Sequence, residues 1–406
     1  MRNIVAAGAG PLTVSTPGRR RSLNFAAAAL AGALLWAGTA RADVVYSAIS
    51  TPGVVVTGIR SDSSSSDSVV ITASYTAGGV TSAGLYEGSL QGVLSAPAGS
   101  WTFLTPVFAG QTVTSSTFYG PNTALYDPGL GAGNIRAVGS YKYAEGASGP
   151  SYNHGMIYQG TIGSGTWTQI DATSLVTGGT LLNTIAHSTM GDLVVGNYDT
   201  SLATGKAFIY NVATGTWTDL NPTGSASVTA YGIWQNGGSG STSYTIAGGF
   251  SDVTSAGLDE GFLADYDSAT GTLSHFKAFN YGNAPISSLV SHFDGITATA
   301  DGFNLTGDYV STDGGLGAFF ASVTVLGNGV FSDASWTQIA FTSPTATDVT
   351  LTSGNTVVGN NVLGIYSDSG TTRSYVATVP EPGALPIFAV GLGMLALQGI
   401  RTRRRN

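Results

Sequence analysis

The sequence predicts an all-β fold, a six-bladed β-propeller of four-stranded blades whose ring is closed by the N-terminal strand. Three observations predict it. Glycine supplies 58 of the 406 residues and charged residues only 9%, where globular domains carry about 25% charged residues. That composition favours turns and short strands over soluble helix. Long helical periodicity is missing between the two ends of the chain, and three short motifs recur there in a fixed order, once every ~55 residues.

The first 42 residues read as a signal peptide. Arg19, Arg20 and Arg21 form its positive region, Phe25–Ala37 its apolar stretch, and Ala40-Arg41-Ala42 a small-residue cleavage site before Asp43. Arg20-Arg21-Ser22-Leu23 leaves a twin-arginine route open beside the general one.

Residues 43–378 hold the repeat. Its first motif is a small residue, Gly, any residue and an aromatic: Val138-Gly139-Ser140-Tyr141, Val195-Gly196-Asn197-Tyr198, Ala247-Gly248-Gly249-Phe250 and Thr306-Gly307-Asp308-Tyr309. Thr72-Ala73-Ser74-Tyr75 and Val358-Gly359-Asn360-Asn361 are degenerate copies. The second is an apolar strand after a small residue, as in Gly155-Met156-Ile157-Tyr158, Ala207-Phe208-Ile209-Tyr210 and, in the first unit, Gly84-Leu85-Tyr86-Glu87. The third alternates Trp with an apolar residue, as in Gly165-Thr166-Trp167-Thr168-Gln169-Ile170 and Ser335-Trp336-Thr337-Gln338-Ile339, which turns one strand face to a core. Opening strands such as Val54–Ile59, Tyr231–Trp234 and Phe293–Ile296 make four strands per unit. One such sheet cannot bury both faces, so units must stack, as propeller blades do. The last unit lacks its Trp motif. Tyr46-Ser47-Ala48-Ile49, just past the cleavage site, has the matching pattern and would complete it, removing an open sheet edge. Parts of the repeat, Lys206–Tyr210 through Gly215–Leu220 among them, resemble HAF-type repeats of bacterial extracellular proteins, with His154 in the place of their histidine.

Residues 379–406 have three parts: Val379-Pro380-Glu381-Pro382, an uncharged apolar stretch 383–400, and a tail with Arg401, Arg403, Arg404 and Arg405. Eighteen apolar residues make a helix of about 27 Å, just enough for a bilayer core of ~30 Å, and the arginines would stop it with the bulk of the chain outside. The order of parts resembles the PEP-CTERM sorting signal. The resemblance covers about 28 residues, and it implies that exosortase, a membrane protease-transpeptidase of Gram-negative bacteria that make exopolysaccharide and biofilm, reads Pro380-Glu381-Pro382. It also implies an envelope or extracellular location, initial anchoring in the inner membrane, and signal peptidase as a second processing partner. The two prolines keep the motif extended and accessible.

Between the tags, residues 43–379 carry six basic against 22 acidic side chains, a net charge of −16. Such a surface repels nucleic acid and tolerates cations or neutral glycans. Without cysteine there is no disulfide, thiolate metal site or Cys nucleophile. His154 and His275 fall inside motifs and read as strand residues. His187 and His292 flank opening strands, where a propeller would bring them to its channel. Asp265-Tyr266-Asp267, and Asp308 with Asp313, could hold calcium but read first as turn formers. The recurring Trp reads as core, and Ser61–Ser66 as a loop. The expectation is therefore a non-enzymatic exported protein with no catalytic residue, metal or cofactor, sitting in or binding extracellular polysaccharide. The alternative is a secreted carbohydrate-active enzyme with carboxylates in the channel.

Overall fold

The computed structural model describes residues 43–380 apart from 65–66, 145–151, 204, 254–257, 286–288, 312–313 and 344–345. The expected signal peptide with Ala40 and Ala42 lies outside the described residues. So do Glu381, Pro382, the expected membrane segment 383–400 and Arg401, Arg403, Arg404 and Arg405. Among the described residues no helix is long and apolar enough to cross a membrane. Val44–Val379 form one compact unit.

That unit is all-β, with four-stranded antiparallel sheets in a propeller-like arrangement. One sheet joins β10 (Leu181–Met190), β11 (Leu193–Thr200), β12 (Lys206–Asn211) and β13 (Thr216–Asp219). The next holds β14 (Ser225–Gln235), β15 (Ser243–Asp252), β16 (Glu260–Asp267) and β17 (Thr272–Phe279). A third holds β18 (Leu289–Ala298), β19 (Gly302–Ser311), β20 (Leu316–Thr324) and β21 (Ser335–Ile339). The fourth runs β22 (Val349–Val358), β23 (Asn361–Asp368), β24 (Thr371–Thr378) and then β1 (Val45–Ala48). The remaining strands are β2 (Val54–Ser61), β3 (Ser68–Ala77), β4 (Val80–Ser89) and β5 (Trp101–Leu104), followed by β6 (Val113–Thr123), β7 (Ile135–Tyr143), β8 (His154–Thr161) and β9 (Ser164–Ile170). They share one sheet, in which a single parallel pair, Thr81 with Ser115, links the two groups of four.

The expected closing strand is present. Val45 stands opposite Thr378 and Tyr46 opposite Ala377, as Trp336 stands opposite Ala321 in β20–β21. The Tyr46 ring packs edge-on against Phe341 and Tyr375, with centroids 5.9 and 6.5 Å away, and its hydroxyl accepts the Ala340 N–H at 3.0 Å.

The motif glycines have one steric cause. Gly139, Gly196, Gly248 and Gly307 sit on the second strand of their groups, opposite Met156, Phe208, Phe262 and Phe319. A Cβ at Gly248 would lie 2.0 Å from Thr229 O on the first strand, and one at Gly307 1.9 Å from His292 O. Glycine lets the first strand press close while the large opposite residue fills the layer beneath. This corrects two copies of the repeat. The last copy centres on Gly364 and not on Gly359: Gly364 faces Tyr375 and a Cβ on it would lie 1.9 Å from Ser353 O, whereas Gly359 lies in the turn before β23. In the first unit Ala73 faces Gly84, so the second motif there runs Ala83–Tyr86, one residue earlier than expected.

Apolar clusters fill the layers between neighbouring sheets. Phe118, Tyr158 and Leu85 fill the layer between β2–β5 and β6–β9, and Leu363 and Val376 pack on Val54 and Val56. Phe208, Phe262, Phe319 and Tyr375 are fully buried, each contributing ~2–3 kcal/mol.

Candidate functional site

The first strand of every group carries a β-bulge, and the bulges build the site. The pairing of β2, β6, β10, β14, β18 and β22 with their neighbours shifts at Thr57, Tyr119, His187, Tyr231, Asp294 and Asn355. An extra residue in one strand re-aims its side chain. The next residue is small in each strand but one: Gly58, Gly120, Ser188, Gly232, Gly295 and, the exception, Thr356. The reason is close approach between first strands. A Cβ on Gly58 would lie 2.1 Å from Tyr119 O, one on Gly120 2.6 Å from His187 O, and one on Gly295 2.8 Å from Thr356 Cα. The six bulge residues therefore come together around one cavity of about 220 Å³, lined also by Arg60, Ser188, Asp308 and Ser353.

Aromatic rings follow one another along one arc of this wall. Tyr119 and His187 have centroids 5.1 Å apart, His187 and Tyr231 4.7 Å, and Tyr231 and His292 5.4 Å. Beyond them His292 Nε2 lies 3.3 Å from Asp294 Oδ2. Asp308, the cross-strand partner of His292 on β19, completes the group: one ligand atom from each of His292, Asp294 and Asp308 lies within 4.8 Å of the others. Asp308 is clamped from β22, where Gly354 N–H donates to Oδ1 at 2.8 Å and Ser353 Oγ donates to Oδ2 at 2.7 Å.

The neighbours set the charges. Burial pushes Asp308 up to about 6, helped by Asp294 and opposed by the Gly354 and Ser353 hydrogen bonds. Burial opposes the charge of His292, but Asp294, Asp308 and Asp259 outweigh it and raise the imidazole to about 9. His187 goes the other way. Burial lowers it to about 4, although its Nε2–H donates to Asn197 Oδ1 at 2.8 Å. Tyr231 is held above the usual phenol range by burial and by Asp294. One wall thus carries a neutral imidazole and, across a tyrosine, a cationic one beside two carboxylates. One nitrogen and two oxygens are also a donor set that a divalent cation accepts, so these are the described residues that could hold a metal.

Of the two histidines expected at the channel, His187 lines the cavity, whereas His292 is not in its lining and stands behind it, against Tyr231, Asp294 and Asp308. His154 and His275 stay outside it, each on a carboxylate: Asp171 at 2.9 Å and Asp265 at 2.9 Å. Of the calcium candidates, Asp308 belongs to the His292–Asp294 group. Asp265 accepts from Thr245 at 2.6 Å, Asp267 caps its own turn through Ala269 N–H, and Asp313 lies outside the described residues. The recurring Trp residues pack in the layers between sheets, as with Trp167 on Phe118 and Trp336 on Phe319. Sequence reasoning missed Asp294 as a site residue. Its signal was available: a polar residue before a small one, once per unit, as in Thr57-Gly58, Tyr231-Gly232 and Asp294-Gly295.

No protein-family model matches the chain, and no curated protein does. Solved structures with similar architecture include a protein of unknown function from Dyadobacter fermentans, 10% identical, covering 84% of this chain and 99% of that one at a TM-score of 0.47. A sialidase from Trypanosoma rangeli is 9% identical, covering 84% of this chain and 56% of its own, at 0.46. A xylan β-1,4-xylosidase from Bacillus halodurans is 11% identical, covering 70% of this chain and 54% of its own, at 0.36. The expectation of a non-enzymatic protein is withdrawn. Enzymes stand among the similar structures, and the carboxylates that no spacing singled out meet at one wall of the channel cavity.

Proposed function

We propose that this chain is an exported surface protein, a six-bladed propeller whose channel cavity acts on the terminal unit of an extracellular carbohydrate. The six-blade reading is supported by six bulged first strands, six apolar layers and the single parallel pair that joins β2–β5 to β6–β9. Export and exosortase sorting are supported by the two sequence tags. Val45 and Thr378 are paired, so the two ends of the domain lie side by side.

The convergence of Asp294 and Asp308 at the cavity wall, with His292 against them, carries the catalytic reading. Glycoside cleavage needs one carboxyl group that holds its proton and a second that is charged. Asp308, whose proton burial holds more tightly than a free carboxyl's, is the acid in this arrangement, and Asp294, paired with His292, is the partner carboxylate. Their reactive oxygens lie within 4.8 Å, closer than the ~6.5–9.5 Å that leaves room for an inverting water, so the geometry favours retention of configuration. The cavity, at about 220 Å³, is below the ~300–1,000 Å³ of drug-sized sites and takes one terminal sugar, not a length of polymer. The test is sugar release from a panel of exopolysaccharides and aryl glycosides by the purified protein, with and without chelator. Turnover that falls at least 100-fold in both Asp294→Asn and Asp308→Asn supports the reading. Silence across the panel, or turnover indifferent to both variants, overturns it.

A further inference from the structure

The cavity has a second charged end that the carboxylate chemistry does not use. Arg60, on β2, is 5% exposed. Its guanidinium reaches Ile233 O at 2.9 Å, Ser188 Oγ at 3.3 Å, Ile59 O at 3.3 Å and Ile296 O at 3.4 Å, so one side chain bolts β2 to β10, β14 and β18. The Trp234 ring lies 5.5 Å from its Cζ. Three of the four hydrogen bonds are longer than the usual 2.7–3.2 Å.

Two observations say that this end is incomplete. Among the described residues no carboxylate pairs with Arg60, and its Nε–H is buried with no partner. Asn122 holds on β6 the position that Arg60 holds on β2, three residues beyond the bulge. It is completely buried, and neither Oδ1 nor Nδ2 has a partner. A guanidinium removed from water needs an anion or a full set of acceptors. Here three carbonyls and a hydroxyl meet part of that need, and burial lowers the group to about 10. Asp294 and Asp308 do not offset this; the group that does is Tyr126.

We propose that Arg60, which lines the cavity, is a carboxylate-binding subsite, and that the channel ligand is an acidic sugar of the uronic-acid type. This rests on the carbohydrate reading above. The sugar carboxylate accepts from Arg60 Nε–H, a donor in the charge-assisted geometry that guanidinium favours.

Calorimetry of the purified protein with glucuronate, glucose and acetate, at fixed pH and ionic strength, tests it without requiring any bond to break. Glucuronate is expected to bind one to one, at least tenfold tighter than glucose, with acetate competing. Arg60→Gln should abolish that preference. Arg60→Gln removes a bolt between strands, so the Arg60 Nε–H proton resonance of the unaltered protein, expected to shift with glucuronate and acetate and not with glucose, decides the matter if the variant does not fold. Equal affinity for glucuronate and glucose, a preference unchanged by Arg60→Gln, or an Arg60 Nε–H resonance indifferent to glucuronate overturns the subsite. A protein that prefers glucuronate but cleaves nothing overturns the catalytic reading alone. One that cleaves neutral sugars without an acid preference overturns the subsite alone.

Discussion

Removing the closing strand should cost this protein most of its stability. Val45–Ala48 add four residue pairs to the free edge of β24, and Ile49 N–H adds a bond to Ser374 O at 2.8 Å. At about 1 kcal/mol per hydrogen bond, with ~0.5–1.5 kcal/mol for each Tyr46 ring contact, the strand contributes roughly 5–8 kcal/mol. Whole domains have ~5–15 kcal/mol. Deleting residues 43–48 should therefore leave a chain that unfolds without a cooperative transition, since the loss also opens the Phe341–Tyr366–Tyr375 layer to water. A graded series separates the causes. Tyr46→Phe leaves Ala340 N–H without its acceptor and should cost about 1 kcal/mol. Tyr46→Ala also loses the Phe341 and Tyr375 contacts and should cost about 3 kcal/mol, a melting shift of about 4 °C for a domain this long. Thermal and urea unfolding of the purified variants reads both. A deletion variant that melts cooperatively within 2–3 °C of the parent would refute the closed-ring account.

Three further outcomes follow from the packing and the charges. Gly248→Ala forces a Cβ to 2.0 Å from a backbone carbonyl and should destabilise by about 3 kcal/mol or more; Gly99→Ala, with nothing within 4 Å, should stay within ~0.5 kcal/mol in the same melts. Asp308, raised from 3.8 to about 6, and His292, raised from 6.5 to about 9, both bind protons more tightly when folded. Their stabilisation is complete below the unfolded values and is lost as pH rises through about 6 and about 9, roughly 3 kcal/mol for each group; in urea titrations with chelator present, Asp308→Asn should remove the loss between pH 4 and 6. His187 has the opposite sign. Lowered to about 4, it contributes stability above pH 6.5 that disappears as pH falls through 4, so His187→Gln should flatten the acid limb of the same curve.

The repeat was legible because its glycine and Trp positions answer to steric needs that recur in every unit. It misled where a residue met the need in another guise. Gly364 was passed over because Leu363 is not small, although what requires the glycine is the Ser353 carbonyl across the strand and not its chain neighbour. Gly84 opposite Ala73 exchanges the small partner between strands, which slid the first copy by one residue. The closing strand was readable from the Tyr46-Ser47-Ala48-Ile49 pattern, because an aromatic at that register fills the same slot as Trp336. The site was harder to read. Bulge positions vary in chemistry from Thr57 to Asn355, so no single residue type repeats, and only the small residue that follows most of them betrays the pattern. Asp308 reaches His292 through cross-strand pairing, sixteen positions on in a chain whose other aspartates mostly serve turns. Arg60 looked like one of six scattered basic residues; its burial depends on four first strands meeting.

The most direct test of the account is the proton-detected pH titration of the four histidine rings, assigned with His187→Gln and His292→Gln. The channel geometry places these two rings on either side of Tyr231 in opposite electrostatic settings. His292 is expected to titrate at about 9 and His187 at about 4. Two rings that both titrate near 6.5 would mean that Asp294, Asp308 and His292 do not meet, and the cavity would lose its claim to be the working site.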